Sequence, residues 1–521
     1  MIAEVDGPHT VGRWLRDRAA SHPGKIAIDD RGVALDYATL AARAERLAQR
    51  LKDAGYGPGQ RIATVSGNSS DHVVAFFACA FLGIAFIPLS WRLTPTELAE
   101  LTRRSAPELV LVEDEHVALA GAALRTLGDD APAYVFLGVT GVETSVPPAA
   151  GAVASRAVHD DDPLLVIYTS GSEAAPKGVV LTHANCFWTN MALSQTMPMI
   201  QTDVVLAMLP QYHVAAWNVQ PLLAWWSGAT VVLERSFQPG RVLQLICERR
   251  VTTMMGVPTQ YRMLMETPGW ADADLSSLRH VLVGGATMPV DLVEAWAARG
   301  VALTQGYGLT EAGPNVLALP AAELAAHPGT VGRPYPSVDV CIVDVASGLP
   351  LAGAATGELW VRGPGTFAEY LDDPDATARA RSQGWLRTGD LAHRDGDGIY
   401  RIVDRLKEIY VSGGENVAPA EVEQALGEHP LVRSVAVVGA PDRVWGERGV
   451  AFVVARDALS ADELLAFARE RLAAFKLPAH VVFLDELPRS TIEKVARARL
   501  RAMAAQLTAE RETEDADGRV R

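Results

Sequence analysis

The stretch Tyr168–Gly178 reads YTSGSEAAPKG and gathers groups that bind anions. Thr169, Ser170 and Ser172 offer hydroxyl donors, Gly171 and Gly178 let backbone N–H groups approach closely, and Lys177 adds a point positive charge. Polyphosphate is the ligand such a set suits, although the G-x-x-x-x-G-K-[ST] order of a Walker loop is absent. Alone, the stretch also reads as a turn that binds nothing. Gln305–Glu311, QGYGLTE, weighs against that reading by setting an aromatic ring, a hydroxyl and a carboxylate in one tight loop. A ring can stack on adenine, a hydroxyl can hold a phosphate, and a carboxylate can ligate Mg2+ through hard oxygens.

Other segments add to the set. Gly284-Gly285-Ala286 supplies small residues against which a base can lie, and Thr388-Gly389-Asp390 offers a carboxylate to ribose hydroxyls. Asp after Gly is also ordinary turn chemistry. Asp404–Asn416 reads DRLKEIYVSGGEN, and Pro488–Lys494 reads PRSTIEK. An exposed charged turn and a solvated lysine are the plain alternatives for those two. Tyr212-His213 follows the apolar run Val204–Met208.

In this order the segments resemble the adenylate-forming superfamily of acyl-CoA synthetases, aryl-CoA ligases, luciferases and adenylation domains, over about residues 10–505. The resemblance implies that Thr169, Ser170, Gly171, Ser172 and Lys177 hold the ATP phosphates. Gly284, Gly285, Ala286, Gln305, Gly306, Tyr307 and Gly308 then surround adenine, with Ile402 also at the nucleotide. Thr310 falls on the α-phosphate and Glu311 on Mg2+, while Asp390 and Arg405 take the ribose. Lys407 matches the hinge of a mobile small domain, and Lys494 matches the catalytic lysine that bridges substrate carboxylate and α-phosphate. Ser412, Gly413, Gly414 and Glu415 would line a pantetheine channel, with Trp445, Phe475 and Lys476 on coenzyme A. Tyr212 and His213 resemble an aromatic gate beside an acyl pocket lined by Trp217, Asn218 and Val257, although Trp217 reads equally well as core. His213 is read as a positioning residue, because a carboxylate is already ionised at pH 7 and needs no base.

The chain departs from the superfamily pattern in places. Ser172 and Glu173 stand for threonines, and Ala174 and Glu493 for glycines. Serine keeps the hydroxyl, whereas Glu173 brings a like charge toward a triphosphate.

With 521 residues the chain is too long for one ordinary core. A hydrophobic share of 49% and a charged share of 21% are those of a globular protein. The net charge of −15 argues against non-specific binding to nucleic acid or anionic membrane. Cys79, Cys186, Cys247 and Cys341 are far apart and form no CxxC pair, so neither a zinc knuckle nor a disulfide framework is expected. The first twenty residues lack a basic start followed by an apolar core, and no signal peptide is expected. Val73–Leu89 is long and uncharged, but Gly83 and Pro88 interrupt it; a buried helix over 71–82 and a strand over 84–87 explain it better than a membrane span.

The elements that must position these residues alternate. Strand-like runs at 62–66, 164–169, 204–208, 230–233, 252–257, 280–283 and 301–304 are separated by helical stretches, one of them between Pro289 and Gly300. That alternation predicts an α/β fold with mostly parallel sheets covered by helices. From about Thr330 short β runs at 338–343, 357–362 and 399–403 predict a β subdomain. After Arg405 come a helix following Pro419, strands at 435–438 and 450–454, and a helix whose Ser460 and Glu463 form a capping-box signature. The expected division is 1–404 for a large N-terminal domain of two α/β layers, with the β subdomain at about 330–404. Residues 405–505 form a small C-terminal α+β domain, and 506–521 a disordered tail.

The resemblance thus implies an ATP- and Mg2+-dependent acid–CoA ligase working through an acyl-adenylate, on a compact aryl or short- to medium-chain acid. Expected partners are that acid and coenzyme A, with a second copy of the chain as a possible homodimer partner, in the cytoplasm. Two alternatives stay open: an adenylating enzyme with another acceptor (a carrier-protein thiol, an amine or nitrite), and a non-catalytic nucleotide-binding relative.

Overall fold

Parallel strands cannot be joined by tight turns, so apolar runs separated by helix-length stretches must form crossover-connected sheets. The computed structural model describes residues 6–138, 141–169, 176–412, 415–442, 445–489 and 495–518, and it contains two such sheets. The nine-stranded sheet runs in the order Arg333–Pro334, Leu317–Leu319, Leu303–Tyr307, His280–Val283, Thr253–Gly256, Val204–Ala207, Thr230–Leu233, Ile26–Asp30, Val33–Asp36. Its central strands pair in parallel, Val283 against Gln305 and Gly256 against Val283. The seven-stranded sheet runs Glu369–Tyr370, Lys177–Thr182, Pro163–Thr169, Ala85–Leu89, Arg61–Val65, Leu109–Val112, Ala133–Phe136.

The uncharged run at 73–89 is the helix Ser70–Ala80, a turn at Gly83 with φ +65°, and the strand Ala85–Leu89. Ser69 caps that helix by accepting from the His72 N–H at 3.2 Å. Among the described residues no helix is long and apolar enough to cross a membrane. All four cysteines are free thiols.

A five-stranded sheet takes in Asp339–Val343, Ala355–Arg362, Trp385–Arg394, Arg381–Ser382 and Tyr400–Arg405, where short β runs are expected. The chain divides by its internal contacts into two compact units. The first holds 1–341, 360–388 and 396–401, and the second holds 342–359, 389–395 and 402–521.

In the second unit, Val432–Asp442 and Gly446–Ala455 form a long antiparallel pair, and Tyr410–Ser412 and His480–Phe483 both pair with the latter strand. The helices Pro419–Gly427 and Ala461–Arg469 cover one face. Ser460 caps the latter by accepting from the Glu463 N–H at 3.2 Å. The other face is covered by a helix that runs Arg497–Gly518. A disordered tail from 506 is therefore not what the structure describes up to Gly518. Leu500, Ala504 and Leu507 recur at helical spacing and pack on Phe452 and Val438, a stripe masked in the sequence by its charged neighbours.

Trp217 belongs to the core of the first unit. It is fully buried, lies 4.4 Å from the Phe76 ring in a stacked pair, and meets Phe86 edge-on. Trp217→Ala should lower the free energy of unfolding by about 3–5 kcal/mol, as large truncations in packed cores do. Denaturant melts check this, and a loss below about 1 kcal/mol would contradict the core placement.

Two buried histidines make the fold less stable in acid. Burial pulls both His72 and His183 down to about 4. Each is neutral in the fold but titrates near 6.5 when unfolded, so the unfolded state binds more protons between those values. Their contribution is complete above pH 6.5 and is lost as pH falls toward 4, on the order of 3 kcal/mol for each histidine. Thermal melts should show a midpoint that drops steadily from pH 6.5 to 4, and His72→Gln should flatten that drop.

Candidate active site

The loops that carry chemistry in the first unit leave the C-terminal ends of parallel strands, where open α/β sheets place ligands. Leu303–Tyr307 delivers Tyr307, Gly308 and then a short helical turn, Thr310–Ala312. Only glycine fits at 308, since a Cβ there would lie 1.3 Å from the Pro314 carbonyl oxygen. The neighbouring strand His280–Val283 delivers Gly284, buried, and Gly285, exposed with φ +77°. Gln305 does not reach outward. Its amide donates to the carbonyls of Ala286 at 3.2 Å and Gly306 at 3.0 Å, and its Oε1 accepts from the Met288 N–H at 2.8 Å. It braces the loop that Gly284–Ala286 forms, a positioning task that the motif alone does not show.

Thr310 and Glu311 are half-buried. The Tyr370 hydroxyl donates to Glu311 Oε1 at 2.9 Å, and the Phe367 N–H donates to the Glu311 carbonyl at 2.8 Å. Lys177 Nζ stands 5.2 Å from the centre of the Tyr370 ring. Tyr370 thus joins the two motifs, and sequence reasoning misses it because nothing in its spacing ties it to either. Lys177 and Thr169 are cross-strand partners at the mouth of one antiparallel hairpin. Ser170, Gly171, Ser172, Glu173 and Ala174 lie outside the described residues. An oriented carboxylate beside a lysine suits Mg2+ with a polyphosphate. Glu311 would supply the hard oxygen, with its Oε1 accepting from the Tyr370 hydroxyl.

Tyr212 and His213 follow the strand Val204–Ala207, with ring centres 4.5 Å apart and the His213 N–H donating to the Pro210 carbonyl at 3.0 Å. Asn218 is buried, and its Nδ2 donates to the Gly313 carbonyl at 2.8 Å, tying this segment to the chain just after Glu311. Beside the gate lies a mostly apolar cavity lined by Met208, Leu209, Ala215, Val219 and Met255, together with Gln211 and Gln220. Neither Trp217, Asn218 nor Val257 is part of that lining. Val257 instead starts the helix Pro258–Met265, with its N–H bonded to Gln260 Oε1 at 3.0 Å.

The second unit gathers its own group. Arg405 Nε is 3.2 Å from Asp390 Oδ1, and the Leu406 N–H donates to the Gly389 carbonyl at 2.8 Å. Two residues expected on one ribose are therefore neighbours. Buried Glu358 accepts from the Gly389 N–H at 3.2 Å, a brace absent from any motif. Asp404 accepts from Arg405 N–H at 2.7 Å and Ala420 N–H at 2.9 Å, and burial raises its pKa. Ile402 lies on the same strand, Tyr400–Arg405. Partial desolvation, then the nearby Arg405 charge, lowers the Lys407 ammonium below its usual range.

Ser412 is buried and pairs across the sheet with Glu415 and Gly446, next to exposed Trp445. Phe475 packs on the core of this unit, and Lys476 Nζ is 2.5 Å from Glu421 Oε1. Gly413, Gly414, Glu493 and Lys494 lie outside the described residues.

Comparison with known proteins shows what the chain is similar to. The family described as AMP-binding enzyme matches residues 15–371, and AMP-binding enzyme C-terminal domain matches 421–494. The chain is 39% identical to a feruloyl-CoA synthase of an Amycolatopsis species over 94% of this chain and 98% of that one. It is 37% identical to an indoleacetate–CoA ligase of Aromatoleum aromaticum, over 96% and 99%. Among solved structures, the o-succinylbenzoate CoA synthetase of Bacillus subtilis bound to its acyl-adenylate intermediate superposes with a TM-score of 0.82, at 28% identity over 94% and 97%. With both parts of the family matched along most of its length, the chain belongs to the AMP-binding enzymes of the adenylate-forming superfamily.

Proposed function

We propose that this chain is an AMP-forming acid–CoA ligase acting on a compact aryl acid. The observation that carries the reading is the Lys177–Tyr370–Glu311 cluster, beside the turn that bears Thr310, in the unit that also holds a mostly apolar cavity. A carboxylate oxygen attacks the α-phosphorus of ATP, and the bond to pyrophosphate breaks. A thiol sulfur then attacks the acyl carbonyl, loses its proton to solvent and expels AMP. Lys177 and the hydroxyls of its hairpin bind the polyphosphate, and Thr310 donates to the α-phosphate. Glu311 would hold Mg2+, which when bound offsets phosphate charge. Lys494 would bridge acid and α-phosphate during the first half, and Asp390 with Arg405 would hold the ribose.

The cavity favours a compact acid. Its enclosed volume is only about 10 Å3, room for little more than one small group. Coenzyme A is the acceptor that the named ligases use, and Ser412, Glu415 and Trp445, close together in the sheet, would contact it. A cytoplasmic location fits the four free thiols and the need for ATP.

The test is acid-dependent pyrophosphate release across a panel of aryl, short-chain and long-chain acids, with and without coenzyme A. Aryl acids should lead, with AMP and acyl-CoA as products. AMP without acyl-CoA would point to another acceptor, and no turnover with any acid would contradict the reading.

A further inference from the structure

The cavity beside Tyr212 and His213 is walled by Met208, Ala215, Val219 and Met255, yet two glutamines also line it. Both are almost fully buried, Gln211 at 3% and Gln220 at 2% exposure. A carboxamide has a donor end and an acceptor end, and each gains from a partner.

Gln220 uses one end. Its Nε2 donates to the Met254 carbonyl at 3.2 Å, and only an N–H can make that bond, so the orientation of the amide follows. Its Oε1 is left as an acceptor with no hydrogen bond among the described residues. The backbone at this residue has φ +82° and ψ −55°, a conformation that favours glycine. A buried glutamine kept at such a position is held there for its side chain.

Gln211 uses the opposite end. His72, buried and neutral, has one donor and one acceptor nitrogen. Its Nδ1 is 2.9 Å from Gln211 Oε1 and its Nε2 is 2.8 Å from the Thr64 hydroxyl. The imidazole donates to Oε1 and accepts from Thr64, which leaves Gln211 Nε2 as a donor without a hydrogen bond among the described residues. The Trp217 indole N–H donates to the Gln211 carbonyl at 2.6 Å and pins its backbone.

We infer that Gln211 and Gln220 are specificity-determining residues that read a hydroxyl group at the distal end of the acid, Gln211 Nε2 donating to the hydroxyl oxygen and Gln220 Oε1 accepting its proton. The inference deepens the aryl-acid reading and rests on it. A hydroxyl is the smallest group that both donates and accepts a hydrogen bond, and an aryl ring carries it rigidly away from the carboxylate. A methyl group of the same size would leave both carboxamides unpaired, and sites built to bond a hydroxyl reject such analogues strongly.

The experiment compares kcat/KM for 4-hydroxycinnamate and 4-methylcinnamate, by pyrophosphate release, in the wild-type chain, Gln211→Met and Gln220→Met. The wild type should prefer the hydroxylated acid by about 10-fold or more, the ratio that one net hydrogen bond supports. Each variant should cut that preference by about 10-fold. The ratio of two acids on one enzyme is read, so partial loss of folded protein does not imitate the result, and the wild-type comparison needs no variant. Equal use of the two acids by the wild type, or an unchanged ratio in both variants, would overturn the inference while leaving the ligase reading intact. Release with neither aryl acid would overturn both.

Discussion

Glu311→Gln should lower acid-dependent pyrophosphate release by about 100-fold or more, with a higher Mg2+ concentration needed for half-maximal rate. Glutamine keeps the size of the side chain and can still accept from Tyr370, but it removes the negative charge that a hard cation requires. Tyr370→Phe gives the matching control. It removes the bond that orients Glu311, and losing an orienting partner typically costs about 10–100-fold in metal affinity. Pyrophosphate release within about threefold of wild type in Glu311→Gln would remove Glu311 from the metal site.

Lys494→Ala should divide the reaction. Adenylation should fall by about 100- to 1,000-fold, the loss seen when a positioned donor to developing negative charge is removed. Thioester formation from a supplied acyl-adenylate should stay within a few-fold of wild type, because by then the carboxylate has already been activated. The assignment comes from PRSTIEK alone, with Glu493 in a glycine position, which makes the comparison of half-reactions the discriminating measurement. Equal losses in both halves would mean that Lys494 has no special part in the first.

The alternation of the first two-thirds was legible because parallel strands buried on both faces read as short aliphatic runs. His280–Val283 and Thr230–Leu233 lie where the pattern puts them. The motifs were legible for a different reason, since glycines such as Gly308 stand where backbone crowding excludes a Cβ. What the sequence did not show were contacts made by ordinary residues far along the chain. Tyr370 reaches Glu311, and Glu358 reaches Gly389, through pairings set by sheet order rather than spacing. Trp217 illustrates the same limit. Its position after the gate is compatible with pocket or core, and only the rings of Phe76 and Phe86 decide for core. The helix through Gly518 was obscured by its polar composition, because a narrow apolar stripe suffices for a helix with one covered face.

The central claim is that the acid's own oxygen attacks the α-phosphorus. Turnover of an aryl acid labelled with 18O in both carboxylate oxygens, with ATP and coenzyme A, tests it directly by mass spectrometry of the products. The account predicts AMP carrying one 18O, pyrophosphate carrying none, and acyl-CoA retaining the other. Unlabelled AMP, or ADP with label in inorganic phosphate, would contradict it.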